Sequence, residues 1–501
     1  MTTTTDVTGP TAGATTGATT GPGLPRAGTP QEVGVDPAGV SAFLDDVAAR
    51  GIELHSLMVV RGGRVAVEGW WAPYGPDRVH LLYSLSKSFT STALGLAVDE
   101  GLVDLDATVL SYFPELDDEV TDPRSRAMRI RDVAAMASGH GAETLDVVRE
   151  ASPQDLVRGF LLLPPERDPG TLFTYNQPCT YALAAVVQRR AGTTLTEYLT
   201  PRLFAPLGIT TGAWQQEPEG QDIGWSGLHL TTESVAAFGL LLLRDGVLHD
   251  GRRLLPEGWV AEASRAHVPT VAADPPAGAE RRAGDWAQGY GFQYWRSRHG
   301  FRGDGAFGQF CLVLPEQDSV VVTTAGTQDM QGVLDAAWEH LLPALGGEVG
   351  TGGGDADAGA ADALAARLAD LALPVPEVVG DLAEAALVAD PPGRLERVEL
   401  RRAGERWVVE ATVDGATWLA EAGVGSWAVT EPTDGRPALA VAVGAPADGT
   451  VVVEAALLET PHRLRLLGDR TTGRVTVAWH TAPLGRLELA SMQRPLPTVG
   501  G

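Results

Sequence analysis

The stretch "LLYSLSKSFTS", residues 81–91, carries Ser84 and Lys87 three residues apart. Lys87 is the only lysine in the chain; every other member of its 38 Lys+Arg residues is arginine. Read as a helix, "SLSKSFTSTALGLAVDE" places the two side chains on one face, because positions i and i+3 are neighbours on a helix surface. The stretch is rich in small and apolar residues (Phe89, Ala93, Leu94, Leu96, Ala97), so burial is expected. A serine hydroxyl is a weak nucleophile until a base takes its proton. A desolvated lysine can be that base, since burial disfavours its charged form. Arginine cannot, because a pKa above roughly 12 keeps it protonated. A snorkelling or ion-paired lysine is the plainer alternative.

Two further stretches have the makings of the same site. In "DPGTLFTYNQPCTYALAAVVQRRAGTTLTEYL" a Pro-Gly turn leads through an extended aromatic run into a helix, with Tyr175 at the turn into it. A tyrosine there can pass a proton between serine, lysine and leaving group, although core packing is the commoner fate of a tyrosine. In "RGDGAFGQFCLVLPEQD", Gly303, Gly305 and Gly308 flank the start of a strand. Glycines there let a substrate approach the backbone closely. The N–H of Ala306 can then donate to a developing oxyanion, paired with the N–H of Ser84.

The elements that must hold these groups are legible in outline. "LHSLMVVRGGRVAVEGWW" (54–71) reads as two apolar strands around Gly62-Gly63, a hairpin. Apolar residues at helical spacing mark helices near 88–101, 179–191, 193–206 and 231–245. Strands return in "GYGFQYW" (289–295), "FGQFCLVL" (307–314) and "SVVVTTAG" (319–326), and a helix near 329–345 follows. Strands at both ends with helices between them predict one antiparallel sheet built from distant parts of the chain. Residues 1–28, rich in Thr, Gly, Ala and Pro, read as a disordered tail. The Gly-rich, acidic stretch 347–360 reads as a flexible linker. Residues 361–501 read as a mainly β C-terminal domain, a short amphipathic helix (361–373) followed by short alternating runs such as "RWVVEATV" and "TVVVEAALLE" that predict a barrel or sandwich.

With 501 residues, two or more domains are expected. The net charge of −26 argues against nucleic acid or an anionic membrane as partner. The two cysteines, Cys179 and Cys311, allow no framework of disulfides. No His/Cys cluster has zinc spacing and there is no HExxH pair, so no zinc site is expected. The N-terminus lacks the basic start and apolar core of a signal peptide, and no run is long and apolar enough to span a membrane. A cytoplasmic location is the expectation.

Taken together, these stretches resemble the serine β-lactamase and penicillin-binding-protein superfamily. The branch is that of class C β-lactamases, DD-peptidases, family VIII esterases and 6-aminohexanoate-oligomer hydrolases. The likeness runs in order through about residues 30–345, including "YSLSKSFTSTALGLAVDEGLVDLDATV", "PGTLFTYNQPCTYALAAVV", "PRLFAPLGI", "GLHLTTESVAAFGLLLL" and "GAFGQFCLVLPEQDSVVV". It implies an α+β fold, an antiparallel sheet flanked by helices with an all-helical lobe, over residues 29–346. It implies Ser84 as the acylated nucleophile, Lys87 as its base, Tyr175 as the tyrosine of a Tyr-x-Asn motif and Ala306 as the strand residue of the oxyanion hole. No cofactor is implied.

This sequence departs from the family pattern twice. The second motif reads Tyr175-Asn176-Gln177, so either Gln177 or Asn176 takes the asparagine's role. The Lys-Thr-Gly or His-x-Gly motif is replaced by Gly303-Asp304-Gly305, with Gly305 left to position substrate, and Arg302 or His299 nearby as substitute cations. Without that cation, carboxylate-bearing β-lactams and peptides are disfavoured as substrates. The expected function is therefore a serine hydrolase acting on a small-molecule ester or amide. β-Lactamase or DD-peptidase activity is the alternative, and a non-catalytic binding or sensor protein is the alternative of another class. A homodimer is left open.

Overall fold

Gly62 and Gly63 adopt φ of 58° and 77° between strands β1 (Leu54–Arg61) and β2 (Arg64–Trp70). A two-residue turn of this hand needs positive φ at both positions, which glycine supplies without steric cost. The hairpin therefore forms as expected, with Arg61 opposite Arg64. The structure is a computed structural model that describes residues 23–271, 282–347, 355–433, 436–485 and 488–495.

Upstream lies helix α1 (Pro37–Ala49), begun by Pro37 and by Asp36, whose carboxylate accepts from the Ala38 N–H at 2.9 Å. After the hairpin come β3 (His80–Leu81) and α2 (Ser86–Asp99). β3 joins β4 (Ala213–Trp214) and β5 (Leu228–Leu230) in a small sheet. Then follow β6 (Trp295–Arg296), β7 (Phe301–Gly305), β8 (Gln309–Leu314) and β9 (Ser319–Ala325). The main sheet has the order β2-β1-β9-β8-β7-β6, antiparallel throughout. Its two faces are read directly from β1, whose alternate side chains point opposite ways. Leu57 and Val59 join α1 and Trp338 in one apolar core, while Met58 and Val60 join α2 and the helices Gln177–Ala191 and Thr232–Leu243 in the other. The expected α+β architecture, sheet with flanking helices and helical lobe, is present.

The C-terminal domain is a barrel. Its nine strands, β10 (Ala385–Ala389), β11 (Leu395–Ala403), β12 (Arg406–Val413), β13 (Ala416–Val424), β14 (Ala428–Thr430), β15 (Leu439–Gly444), β16 (Thr450–Leu457), β17 (Arg463–Asp469) and β18 (Arg474–Trp479), run in the order β13-β12-β11-β10-β18-β17-β16-β15-β14. Pairing of β13 with β15 at Gly423↔Ala442 closes the ring, which removes the open edges a sandwich would leave. Among the described residues no helix is long and apolar enough to cross a membrane.

Three expectations need correction. Of the tail 1–28, residues 1–22 lie outside the described residues, but Pro25 and Ala27 hydrogen-bond Val65, and Arg26 pairs with Glu68 at 2.9 Å and Glu233 at 2.6 Å. Of the linker 347–360, residues 348–354 lie outside the described residues, and a helix already begins at Asp355 and runs to Ala369. That helix belongs to the first domain's core: Leu364 is buried with α1, and Arg367 reaches Asp45 at 2.7 Å. An Ala/Asp-rich segment reads as linker in isolation, but burying Leu364 stabilises it as helix. Third, only Trp295 of 289–295 is a strand residue; Gln293 has φ of 68° and the chain folds back so that Gly291 N–H bonds Tyr294 O.

Candidate active site

Ser84 is not in the regular helix that carries Lys87. Tyr83–Leu85 form one 3₁₀ turn, and α2 begins at Ser86. The facing expected of positions three apart holds across the junction between this turn and α2. Lys87 Nζ lies 3.0 Å from Ser84 Oγ. Tyr83, just before the serine, sits at φ of 49°, a strained setting for a bulky residue that functional turns retain. The neighbouring serines are occupied: Ser86 Oγ accepts from Leu228 N–H, and Ser88 Oγ donates to the Gln293 carbonyl. Ser86 and Ser88 are buried, whereas Ser84 is half-buried.

Lys87 is 1 % exposed, and its amine has three partners: Ser84 Oγ, the Gln177 amide oxygen at 2.6 Å and the Trp225 carbonyl at 2.7 Å. Gln177 Oε1 and Trp225 O can only accept. They fit two N–H groups of a neutral amine, and the remaining lone pair then faces Ser84 Oγ. Burial pulls the Lys87 pKa down to about 7; Glu143 and Asp304 pull in the opposite direction. The arrangement can therefore accept a serine proton near neutral pH. Trp225 was invisible to sequence reasoning because a backbone carbonyl carries no side-chain signature. Glu143, whose carboxylate accepts from Gln177 N–H at 3.3 Å, was also missed; no motif marks it.

Asn176 and Gln177 separate cleanly. Asn176 is the N-cap of helix Gln177–Ala191 and fully buried; its Oδ1 accepts from the N–H and hydroxyl of Thr144 at 2.9 and 3.0 Å. Gln177, the first residue of the helix, turns to Lys87. Tyr175 stacks on Trp295 with ring centroids 5.5 Å apart, and Lys87 Nζ lies 4.9 Å from its ring centre. Burial raises the pKa of its hydroxyl, and the Ser84 side chain pulls the other way. Both Cys179 and Cys311 are free, and burial pushes each thiol up to about 12, so neither competes as a nucleophile at neutral pH.

The end of β7 runs beside the Ser84 turn. A Cβ on Gly305 would collide with the Leu82 carbonyl oxygen, and one on Gly303 with Leu85 Cδ1, so only glycine permits this approach. Ala306 follows directly, in the turn between β7 and β8 and not in a strand as the resemblance implies. Among the described residues, no turn or loop carbonyl takes the N–H of Ser84 or Ala306.

Neither proposed substitute cation is free. Arg302 is fully buried and bonds Asp304 at 2.9 Å and Ser297 Oγ at 2.7 Å, over the Trp286 ring. His299 packs edge-on against Trp338. Among the described residues, Arg282 also lies near the site, its guanidinium 5.8 Å from the Tyr175 ring centre and 5.4 Å from that of Trp295. Breaking the buried pair is expected to be costly: Arg302→Met should lower unfolding stability by about 3–5 kcal/mol, because it strands the Asp304 carboxylate. Urea unfolding of Arg302→Met checks this, and the double change with Asp304→Leu should recover most of the loss.

The sheet-and-helix fold with a serine and a buried lysine face to face defines a hydrolase of the β-lactamase type. The chain belongs to the Beta-lactamase family, whose model matches residues 40–346. It is 27 % identical over 333 residues, 61 % of this chain and 83 % of the relative, to a 6-aminohexanoate-dimer hydrolase of Paenarthrobacter ureafaciens. It is 32 % identical over 171 residues, 30 % of this chain and 43 % of the relative, to a lovastatin esterase of Penicillium rubens. Among solved structures, a penicillin-binding-protein homologue from Caulobacter crescentus is similar over 62 % of this chain and 98 % of its own, with 18 % identity and a TM-score of 0.47.

Proposed function

We propose that the protein hydrolyses a small ester or amide through an acyl intermediate on Ser84. Lys87 takes the serine proton as Oγ attacks the acyl carbon. Tyr175 relays a proton to the leaving group, and the N–H groups of Ser84 and Ala306 receive the oxyanion. Water then hydrolyses the acyl-serine by the same proton route. The single observation that carries this reading is the amine of Lys87, held by Gln177 Oε1 and Trp225 O against Ser84 Oγ. Relatives named as a 6-aminohexanoate-dimer hydrolase and a lovastatin esterase support the bond class. Asp304, paired to Arg302 where the resemblance leads one to expect a free cation, supports substrates without the carboxylate of β-lactams.

A serine-directed fluorophosphonate should label Ser84, located by mass spectrometry, and p-nitrophenyl esters should turn over faster than nitrocefin. An unlabelled Ser84 would sink the nucleophile, and fast nitrocefin turnover without ester turnover would sink the substrate preference. The pH profile gives a separate check. Lys87 acts as base only when deprotonated, so kcat/KM should rise with pH and level off above about 7. Glu143 raises the Lys87 pKa, so Glu143→Gln should move that rise to lower pH. A profile flat from pH 5 to 9 would exclude Lys87 as the titrating base.

A further inference from the structure

The barrel meets the nucleophile turn at His462. His462, at the turn between β16 and β17, is fully buried, and its Nε2 lies 2.7 Å from Tyr83 Oη. Its Nδ1 lies 2.8 Å from the Thr481 carbonyl, which can only accept. Nδ1 therefore carries the proton, Nε2 is the bare acceptor, and the Tyr83 hydroxyl donates to it. Burial holds His462 down to about 4, so this tautomer persists through neutral pH.

The same imidazole touches a second strained residue. Phe307 has φ of 68°, and its ring meets His462 edge-on at 5.6 Å and Tyr83 at 5.3 Å. Tyr83 directly precedes Ser84, and Phe307 directly follows Ala306. The three rings thus bracket the two backbone N–H groups assigned to the oxyanion, and Tyr83 and Phe307 both hold positive φ that a free loop would relax. The barrel is itself anchored at this point. Arg463 pairs with Glu53 of the first domain at 2.5 Å and Glu454 at 3.2 Å, Leu81 N–H bonds the Glu459 carbonyl, and Thr481 Oγ1 donates to the Gly326 carbonyl.

We infer that His462 of the C-terminal barrel is a positioning residue of the acyl-transfer site, fixing Tyr83 and Phe307 so that the N–H groups of Ser84 and Ala306 converge. The inference rests on the acyl-serine reading above. The domain is on this account part of the catalytic unit, and its role is to hold strain that the first domain alone would release. Loss of one oxyanion donor costs about 10²–10³-fold in kcat in well-studied hydrolases; loosening two without removing either should cost about 10–100-fold.

The test uses the full chain with Tyr83→Phe, which deletes one hydroxyl, and with His462→Ala and His462→Gln. Tyr83→Phe and His462→Ala should each lower kcat for a p-nitrophenyl ester about 10–100-fold, with KM within about twofold. The two changes combined should lose no more than His462→Ala alone, because that change already breaks the bond to Tyr83. His462→Gln, whose amide oxygen can accept from Tyr83, should recover part of the loss. Wild-type kcat in Tyr83→Phe overturns the inference, even where His462→Ala fails to fold. A loss carried by KM alone, or additive losses in the double variant, overturns it as well. Failure of the underlying reading is distinct: the wild-type protein itself would then take no fluorophosphonate on Ser84.

Discussion

Ser84→Ala should abolish ester turnover, by roughly 10⁴–10⁶-fold in kcat, the scale seen when a serine nucleophile is removed from its base. It should also abolish fluorophosphonate labelling and leave the fold intact. Ser84 is half-buried in a single 3₁₀ turn and caps no helix, so its loss should change stability by less than about 1 kcal/mol. Neighbouring serines cannot take over, since Ser86 and Ser88 are buried and hydrogen-bonded elsewhere. Steady-state assays beside thermal melts check both halves. Retained turnover in a preparation free of wild-type enzyme would remove Ser84 from the mechanism.

Lys87→Arg should fold and lose at least about 10³-fold in kcat. Arginine keeps the charge and the donors but cannot give up a proton near neutral pH. Lys87→Met separates chemistry from folding. The lysine pKa falls from 10.5 to about 7 on burial, so the folded state binds this proton less readily than the unfolded one. The resulting cost to stability, about 5 kcal/mol at 1.36 kcal/mol per unit, is fully present below about pH 7 and fades as pH rises towards 10.5. Lys87→Met removes it but leaves Gln177 Oε1 and Trp225 O without a donor, at about 1–3 kcal/mol each. The variant should therefore be inactive, and its stability relative to wild type should be greatest below pH 7 and decline above it. An active Lys87→Arg enzyme, or a Lys87→Met stability difference independent of pH, would refute the deprotonated-base account.

If His462 positions the oxyanion groups, the barrel is not an appendage. The Glu53–Arg463 pair beside it is buried at the domain boundary, where an unpaired charge would be costly. Such a boundary favours one fixed docking of the two domains over a mobile one.

The sequence alone determined the local features. Gly62-Gly63 dictated its hairpin because a turn's backbone signs depend on the residues in it. The lone Lys87 three residues from Ser84 marked the pair that the structure brings within 3.0 Å, because that facing needs only one turn of helix. Tyr175, Gly303, Gly305 and Gly308 were legible from their places in the chain. What only the tertiary structure decided depends on groups brought from elsewhere. Asn176 and Gln177 were equivalent in sequence until the cap and first-turn positions of one helix sent Asn176 to Thr144 and Gln177 to Lys87. Arg302 looked like a spare cation until its burial against Asp304 spent its charge. Residues 355–360 read as linker until they proved to be the first turns of the helix Asp355–Ala369, which Leu364 anchors in the first domain's core. Trp225 O, Glu143 and His462 lie 138, 56 and 378 residues from Lys87 or Ser84, by subtraction of their positions. Long-range contacts of that kind carry no local pattern, because packing, not spacing, selects them.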